Sequence, residues 1–220
     1  MGVLQALVFD FDGLIVDTET PEYESWCEEF REHGVELHID EWIKCVGAGP
    51  DQWDVVEHLQ SLVGPLDAET VHSRRRERFL RLSESMCVLP GVEALLEQAG
   101  QRGVHCAIAS SSKIKWVEGY LSRFGLADRF ATVVTRDQVS QPKPAPDLYE
   151  EACRRLGAAP AASVALEDSA NGVRAARAAG LVCVAVPNAI TKRFDLSHAN
   201  HVASSLAEVD LESLVSLLER

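Results

Sequence analysis

Basic residues, paired cysteines and long apolar runs are all scarce in this 220-residue chain, and each scarcity removes a class of function. Lys and Arg number 21 against 34 Asp and Glu, a net charge of −13. Nucleic acids and anionic membrane surfaces are held by clustered basic residues, so neither is expected as a partner. No stretch approaches the roughly 18 apolar residues of a membrane span. The N-terminus enters a strand pattern almost at once, without the charged region and cleavage site of a secretory signal. The six cysteines (Cys27, Cys45, Cys87, Cys106, Cys153, Cys183) show no CxxC spacing. Cys106 and Cys183 fall inside apolar strands, where a thiol acts as a small hydrophobe. A reduced, cytoplasmic protein is the expectation. Seven histidines occur without HExxH or HxH spacing, which argues against a zinc centre. There is no GxSxG elbow and no GxGxxG after a strand.

What is present is alternation. Apolar strand-like runs at 4–9, 104–109, 131–135, 163–166 and 182–186, with a weaker one near 201–203, are separated by helical patterns at 91–102, 113–124, 147–157 and 170–179. A last helical pattern covers 206–218. Short continuous apolar strands divided by helices of a dozen residues indicate an α/β protein with a parallel sheet covered on both faces. Residues 18–86 break this rhythm. They show helical periodicity at 22–33, 40–45, 51–63 and 68–85 and no convincing strand, so they are read as a helical insertion. The expected division is 1–17 with 87–220 as the core and 18–86 as the insert, which follows the first strand directly. At 220 residues the chain can bury one core plus a small insertion.

Four polar clusters close strands of this sheet, where parallel α/β proteins bind ligands. Asp10 and Asp12, two apart, can point the same way from an extended backbone. One carboxylate of such a pair can attack phosphorus while the other moves a proton. Ser110, with the backbone N–H groups of Ser111 and Ser112, opens a helix and forms an anion site. Lys143 sits between Pro142 and Pro144, a rigid base for a charge that could hold phosphate. Glu167 and Asp168 with Asp10 suit Mg²⁺, which takes carboxylates, waters and phosphate oxygens. Singly, each has a structural reading: Asp12-Gly13 as a turn, Ser110 and the acids as helix caps, Lys143 as a surface charge. Four clusters at the edge of one sheet are hard to explain as caps.

In order and spacing, Asp10-x-Asp12, Ser110, Lys143 and Glu167-Asp168 resemble the four motifs of the haloacid dehalogenase-like superfamily. The stretches FDFDGLIVDTE and LEDSANG carry the resemblance most specifically, and it spans essentially the whole chain. It implies a Rossmann-like parallel sheet core with an inserted all-helical cap, Mg²⁺ dependence and usually a phosphatase. Asp10 is then nucleophile and metal ligand, and Asp12 acid/base with its carbonyl on the metal. Ser110, Ser111, Ser112 and Lys143 grip the phosphoryl group, and Asp168 with Glu167 completes the metal site. Asp12 excludes the metal-free dehalogenase branch.

The branch it is most similar to contains β-phosphoglucomutase and related sugar-phosphate phosphatases. Mutase-like enzymes carry a histidine where this chain has Glu22. They also carry a lysine where Val46 precedes Gly47, and an arginine shortly after, where Ala48-Gly49-Pro50-Asp51 stands here. Losing groups that retain a phosphorylated intermediate favours simple hydrolysis. Pro142 replaces the glycine usual before the motif lysine, and Thr18 matches the threonine at the hinge into the cap. Thr18, Glu22, Gly47 and Trp53 are the candidate substrate-binding residues of the insert. The expected substrate is a small phosphorylated metabolite, a sugar phosphate, and the expected form a monomer. A sugar phosphomutase and a non-catalytic partner-binding scaffold are the alternatives. The basic run Arg74-Arg75-Arg76 with Arg78 is expected to be a solvated cap surface.

Overall fold

The apolar runs form six parallel strands: β1 (Ala6–Phe9), β2 (His105–Ser110), β3 (Thr132–Thr135), β4 (Ser163–Glu167), β5 (Val182–Ala185) and β6 (His201–Val202). They belong to a computed structural model that describes residues 4–44 and 54–219. The sheet order is β3-β2-β1-β4-β5-β6, and every paired neighbour is parallel. Every residue of β1 and β4 and every residue of β2 except His105 is buried, which is why these strands read as nearly continuous apolar runs rather than alternating ones. The crossover helices α5 (Val92–Gln101), α6 (Ile114–Arg123), α7 (Asp147–Leu156) and α8 (Ala170–Ala178) lie between successive strands in the chain. Leu148, Tyr149, Ala152 and Cys153 of α7 and Val173, Ala175 and Ala176 of α8 pack on Val8, Ala107, Val134 and Ala165 of the sheet.

Strand order fixes where chemistry can occur. From β1 the chain runs outward through β2 and β3, then crosses back to build β4, β5 and β6 on the other side. That reversal opens a crevice beyond the carboxyl ends of β1 and β4.

The expected helix at 206–218 is two pieces, a 3₁₀ turn at Leu206–Glu208 and α9 (Leu211–Leu218). The break is local chemistry: the Asp210 carboxylate accepts the Ser213 N–H at 2.7 Å and starts a new helix. Burial pushes the Cys106 thiol up to about 12, consistent with an inert packing role. Among the described residues no helix is long and apolar enough to cross a membrane.

The chain divides into two compact units. One contains 1–16, 87–188 and 194–220; the other contains 17–86 and 189–193. The second holds α1 (Glu19–Glu32), α2 (Ile39–Trp42), α3 (Val55–Val63) and α4 (Ala68–Ser83). Its core is Trp26, Phe30, Leu37, Trp42, Val56, Leu59 and Val71. Ile190 joins that cluster, which is why a five-residue piece from far along the chain belongs to the helical unit.

The basic run of α4 differs from the solvated surface expected of it. Arg78 is buried, with only Arg76 of the four exposed. The cause is the facing helix: α1 presents Glu22, Glu28, Glu29 and Glu32 to these guanidinium groups. Arg74 meets Glu29 at 2.7 Å, Arg75 meets Glu22 at 2.6 Å, and Arg78 pairs with Glu29 and, at 2.5 Å, with Glu32. Glu29 is fully buried. Glu29→Ala should therefore cost about 3 kcal/mol, the low end for breaking a buried pair, because Arg78 keeps Glu28 and Glu32. Urea denaturation measures this; an unchanged midpoint would show the network to be energetically idle.

Candidate active site

Asp10 takes the first position past β1, and its N–H donates to the Leu166 carbonyl at 2.9 Å, carrying the β1–β4 ladder one step further. Its side chain is buried between two elements that the chain brings from far away. The Lys143 ammonium, from the loop before α7, hydrogen-bonds Asp10 Oδ1 and also Glu167 Oε1 at 2.5 Å. The Lys143 side chain is only 6% exposed. Burial, then the negative charges of Glu167 and Asp12, push the Asp10 carboxyl up to about 8 against the pull of Lys143. For Lys143 burial acts to lower the pKa, but Asp10 and Glu167 outweigh it and hold the ammonium above its ordinary range.

Glu167 ends β4 and is completely buried. Oε1 accepts from Lys143 and from the Tyr149 hydroxyl at 2.7 Å. Oε2 accepts the N–H groups of Asp168 and Ser169 and the Ser169 hydroxyl, each at 3.1 Å. Five protein donors thus hold one carboxylate, and α8 approaches it at Gly172, where any Cβ would overlap Glu167. This glycine is required by space, not by backbone angle. Tyr149 closes the arrangement with its ring centroid 5.0 Å from the Lys143 nitrogen.

Asp168 follows, 3% exposed, and its Oδ2 accepts from the Asn188 side chain at 2.8 Å. Asn188 also donates to the Gly13 carbonyl at 3.3 Å. Gly13 has φ +78°, and a Cβ there would lie 2.5 Å from Asp168 Oδ2. The glycine after Asp12 therefore serves both a turn and a close approach. Carboxylate oxygens of Asp10, Glu167 and Asp168 all lie within 4.8 Å of one another. Three buried carboxylates face one ammonium, an imbalance that a divalent cation would remove. Their donor set is all oxygen, as hard cations require.

The two aspartates of the first motif take different partners, because Asp12 turns toward the end of β2. Its Oδ2 accepts the Ser112 hydroxyl at 2.6 Å and the Ser110 hydroxyl at 3.4 Å, and its Oδ1 accepts the Trp116 indole N–H at 2.8 Å. Ser110, fully buried, accepts the Ser112 N–H at 3.0 Å. The Ser111 hydroxyl oxygen is buried without a hydrogen-bond partner, a cost of about 1–3 kcal/mol that a ligand oxygen would relieve.

Asp10, Asp12, Ser110, Ser111, Ser112, Lys143, Glu167 and Asp168 thus gather at the carboxyl edge of the sheet. The remaining candidates belong to the helical unit. Thr18 precedes α1, buried, with no hydrogen-bond partner for its hydroxyl. Glu22 is engaged by Arg75 within that unit, an ion pair the sequence does not announce. Gly47 and Trp53 lie outside the described residues. Three contributors escape a reading of motifs: Trp116, Tyr149 and Asn188. Asn188 carries a usable signal, since it follows an apolar strand at the same sheet edge. Tyr149 and Trp116 read as ordinary apolar helix positions.

A family model described as haloacid dehalogenase-like hydrolase matches residues 7–186. YhcW of Bacillus subtilis (strain 168), to which phosphatase activity is ascribed, is 43% identical over 98% of each chain. The fructose-1-phosphate phosphatase YqaB of Escherichia coli (strain K12) is 32% identical over 82% of this chain and 95% of its own. Among solved structures, a CbbY mutant from Rhodobacter sphaeroides in complex with xylulose-(1,5)bisphosphate superposes with TM-score 0.75. It is 28% identical and covers 96% of this chain and 99% of its own.

Proposed function

This chain belongs to the haloacid dehalogenase-like hydrolase family, and we propose that within it the protein is a Mg²⁺-dependent phosphatase of a small sugar phosphate. One observation carries the reading above the rest: Lys143 bridges Asp10 and Glu167 beside Asp168, at the point where the strand order reverses. Similarity to a fructose-1-phosphate phosphatase and to a protein crystallised with a sugar bisphosphate supports the substrate class.

Asp10 attacks phosphorus, an Asp10 oxygen–phosphorus bond forms, and the bond from phosphorus to the ester oxygen breaks. Asp12 gives its proton to the departing oxygen. Water then attacks the same phosphorus, Asp12 takes a proton from it, and the bond to Asp10 breaks to release inorganic phosphate. Ser110, the backbone and hydroxyl of Ser111, and Lys143 hold the phosphoryl oxygens, whereas the Ser112 N–H, expected to be free for phosphate, is given to Ser110 Oγ. Asp10, Asp168 and the Asp12 carbonyl are the residues that would hold Mg²⁺. Glu167, with both oxygens committed to protein donors, fits better as the anchor of Lys143 than as a direct ligand. When bound, the metal supplies positive charge that offsets repulsion between a carboxylate and a phosphate ester.

Phosphate release from a panel of sugar phosphates and simple esters, with Mg²⁺ or with EDTA, tests this. Metal-dependent release that favours one sugar phosphate is expected. Conversion of β-glucose 1-phosphate to the 6-phosphate would favour the mutase reading, and silence on every ester from folded protein would sink the catalytic one.

A further inference from the structure

We infer that Trp116 is a positioning residue for the acid/base Asp12, an assignment that rests on the phosphatase reading. A carboxylate on a loop can rotate about two side-chain bonds, and a proton donor that rotates spends little time aimed at the leaving oxygen. Here the two oxygens of Asp12 are held from different elements. Trp116, in the first turn of α6, donates its indole N–H to Oδ1 at 2.8 Å, while Ser112 donates its hydroxyl to Oδ2 at 2.6 Å. Opposed donors on both oxygens fix the plane of the carboxylate, and a hydroxyl alone would fix one oxygen only.

The indole is itself constrained. It packs edge-on against Tyr120, one turn further along α6, at a centroid distance of 4.8 Å. Tyr120 in turn contacts Phe11, the residue between the two motif aspartates, at 6.3 Å. Phe11 is fully buried. A closed chain thus runs from Asp12 through Trp116 and Tyr120 to Phe11 and back along one peptide bond. Tryptophan has a single polar atom, a donor, and in this chain that donor is given to Asp12. A purely packing aromatic at this position has no need of it.

The leaving group separates positioning from structure. Departure of p-nitrophenolate needs no proton, whereas an alkoxide must be protonated as it leaves. For Trp116→Phe, kcat/KM on the alkyl or sugar phosphate that the wild type hydrolyses should fall by roughly 10- to 100-fold, part of what acid/base catalysis contributes. On p-nitrophenyl phosphate, kcat/KM, which reports steps through release of the phenolate, should stay within about threefold, as no proton is needed there. Tyr120→Leu, which removes the ring the indole packs against and touches no group assigned to phosphate or metal, should show the same split in smaller measure and serves if the tryptophan variant does not fold. Trp116→His, whose ring can still donate, should recover part of the loss. An equal fall on both esters, or no fall on either, with an active wild type, overturns the assignment alone. A wild type silent on both esters overturns the phosphatase reading and this assignment together.

Discussion

Asp10→Asn should reduce turnover by roughly 10⁴-fold or more while leaving the fold intact, the scale seen when a covalent nucleophile is removed. An amide nitrogen or oxygen of the same shape cannot form the acyl phosphate that a carboxylate forms, so no other group on the sheet edge substitutes for it. The stability arm of the prediction has the opposite sign from most active-site losses. Asp10 is 7% exposed and sits among like charges, with burial raising its carboxyl to about 8. Above about pH 8, where the Asp10 carboxyl is charged, a neutral amide removes that repulsion, and the variant should melt no lower than the wild type in metal-free buffer. Adding Mg²⁺ should stabilise the wild type more than the variant, since ligand binding to the native state raises its melting temperature. Steady-state phosphate release and thermal denaturation measure the two arms. Turnover within tenfold of wild type would remove Asp10 from the role of nucleophile.

Lys143→Met should cost both activity and stability, and the second loss distinguishes it from Asp10→Asn. Its ammonium is the shared partner of Asp10 and Glu167, and Glu167 is fully buried. Taking away one member of a buried ionic set leaves the others uncompensated, at a cost of about 3–5 kcal/mol. Methionine retains the length and apolar stem, so lost packing is a minor part. Mg²⁺ should recover some of the stability, because a cation beside Asp10 again balances the carboxylates. Turnover should fall by at least about 10²-fold, since an electrostatic contact to the reacting group is removed from a water-poor site. Urea denaturation with and without Mg²⁺, together with phosphate release, reads the outcome. A Lys143→Met protein as stable as wild type would mean that the buried carboxylates do not depend on this charge.

Asp10→Asn and Lys143→Met together isolate what the geometry adds to the motif. Each residue can be named from the sequence, but the opposite stability effects follow from their contact. Glu167 depends on the same contact. As sequence it is half of an acidic pair and reads as a metal ligand. In the fold its five donors and the approach of Gly172 make it a strut under Lys143, with Tyr149 bracing the same oxygen.

The sheet is legible along the chain, because strands buried on both faces are apolar almost throughout and the helices between them alternate with them. The four polar clusters are equally legible, although only those at Asp10, Ser110 and Glu167 close a strand; Lys143, expected to do the same, lies eight residues past the end of β3, in the loop before α7. What the sequence could not supply was any pairing between residues far apart in the chain. The α1–α4 ion pairs bury Arg78 and engage Arg74 and Arg75, and that depends on which helix lies opposite. Ile190 entered the helical core from a distant loop. Trp116 and Tyr149 look like packing residues until the fold brings the indole N–H to Asp12 and the phenol to Glu167. Periodicity records which face of an element is buried; only tertiary structure decides which buried polar atom meets which partner, because that contact is fixed by distance in space and not by distance along the chain.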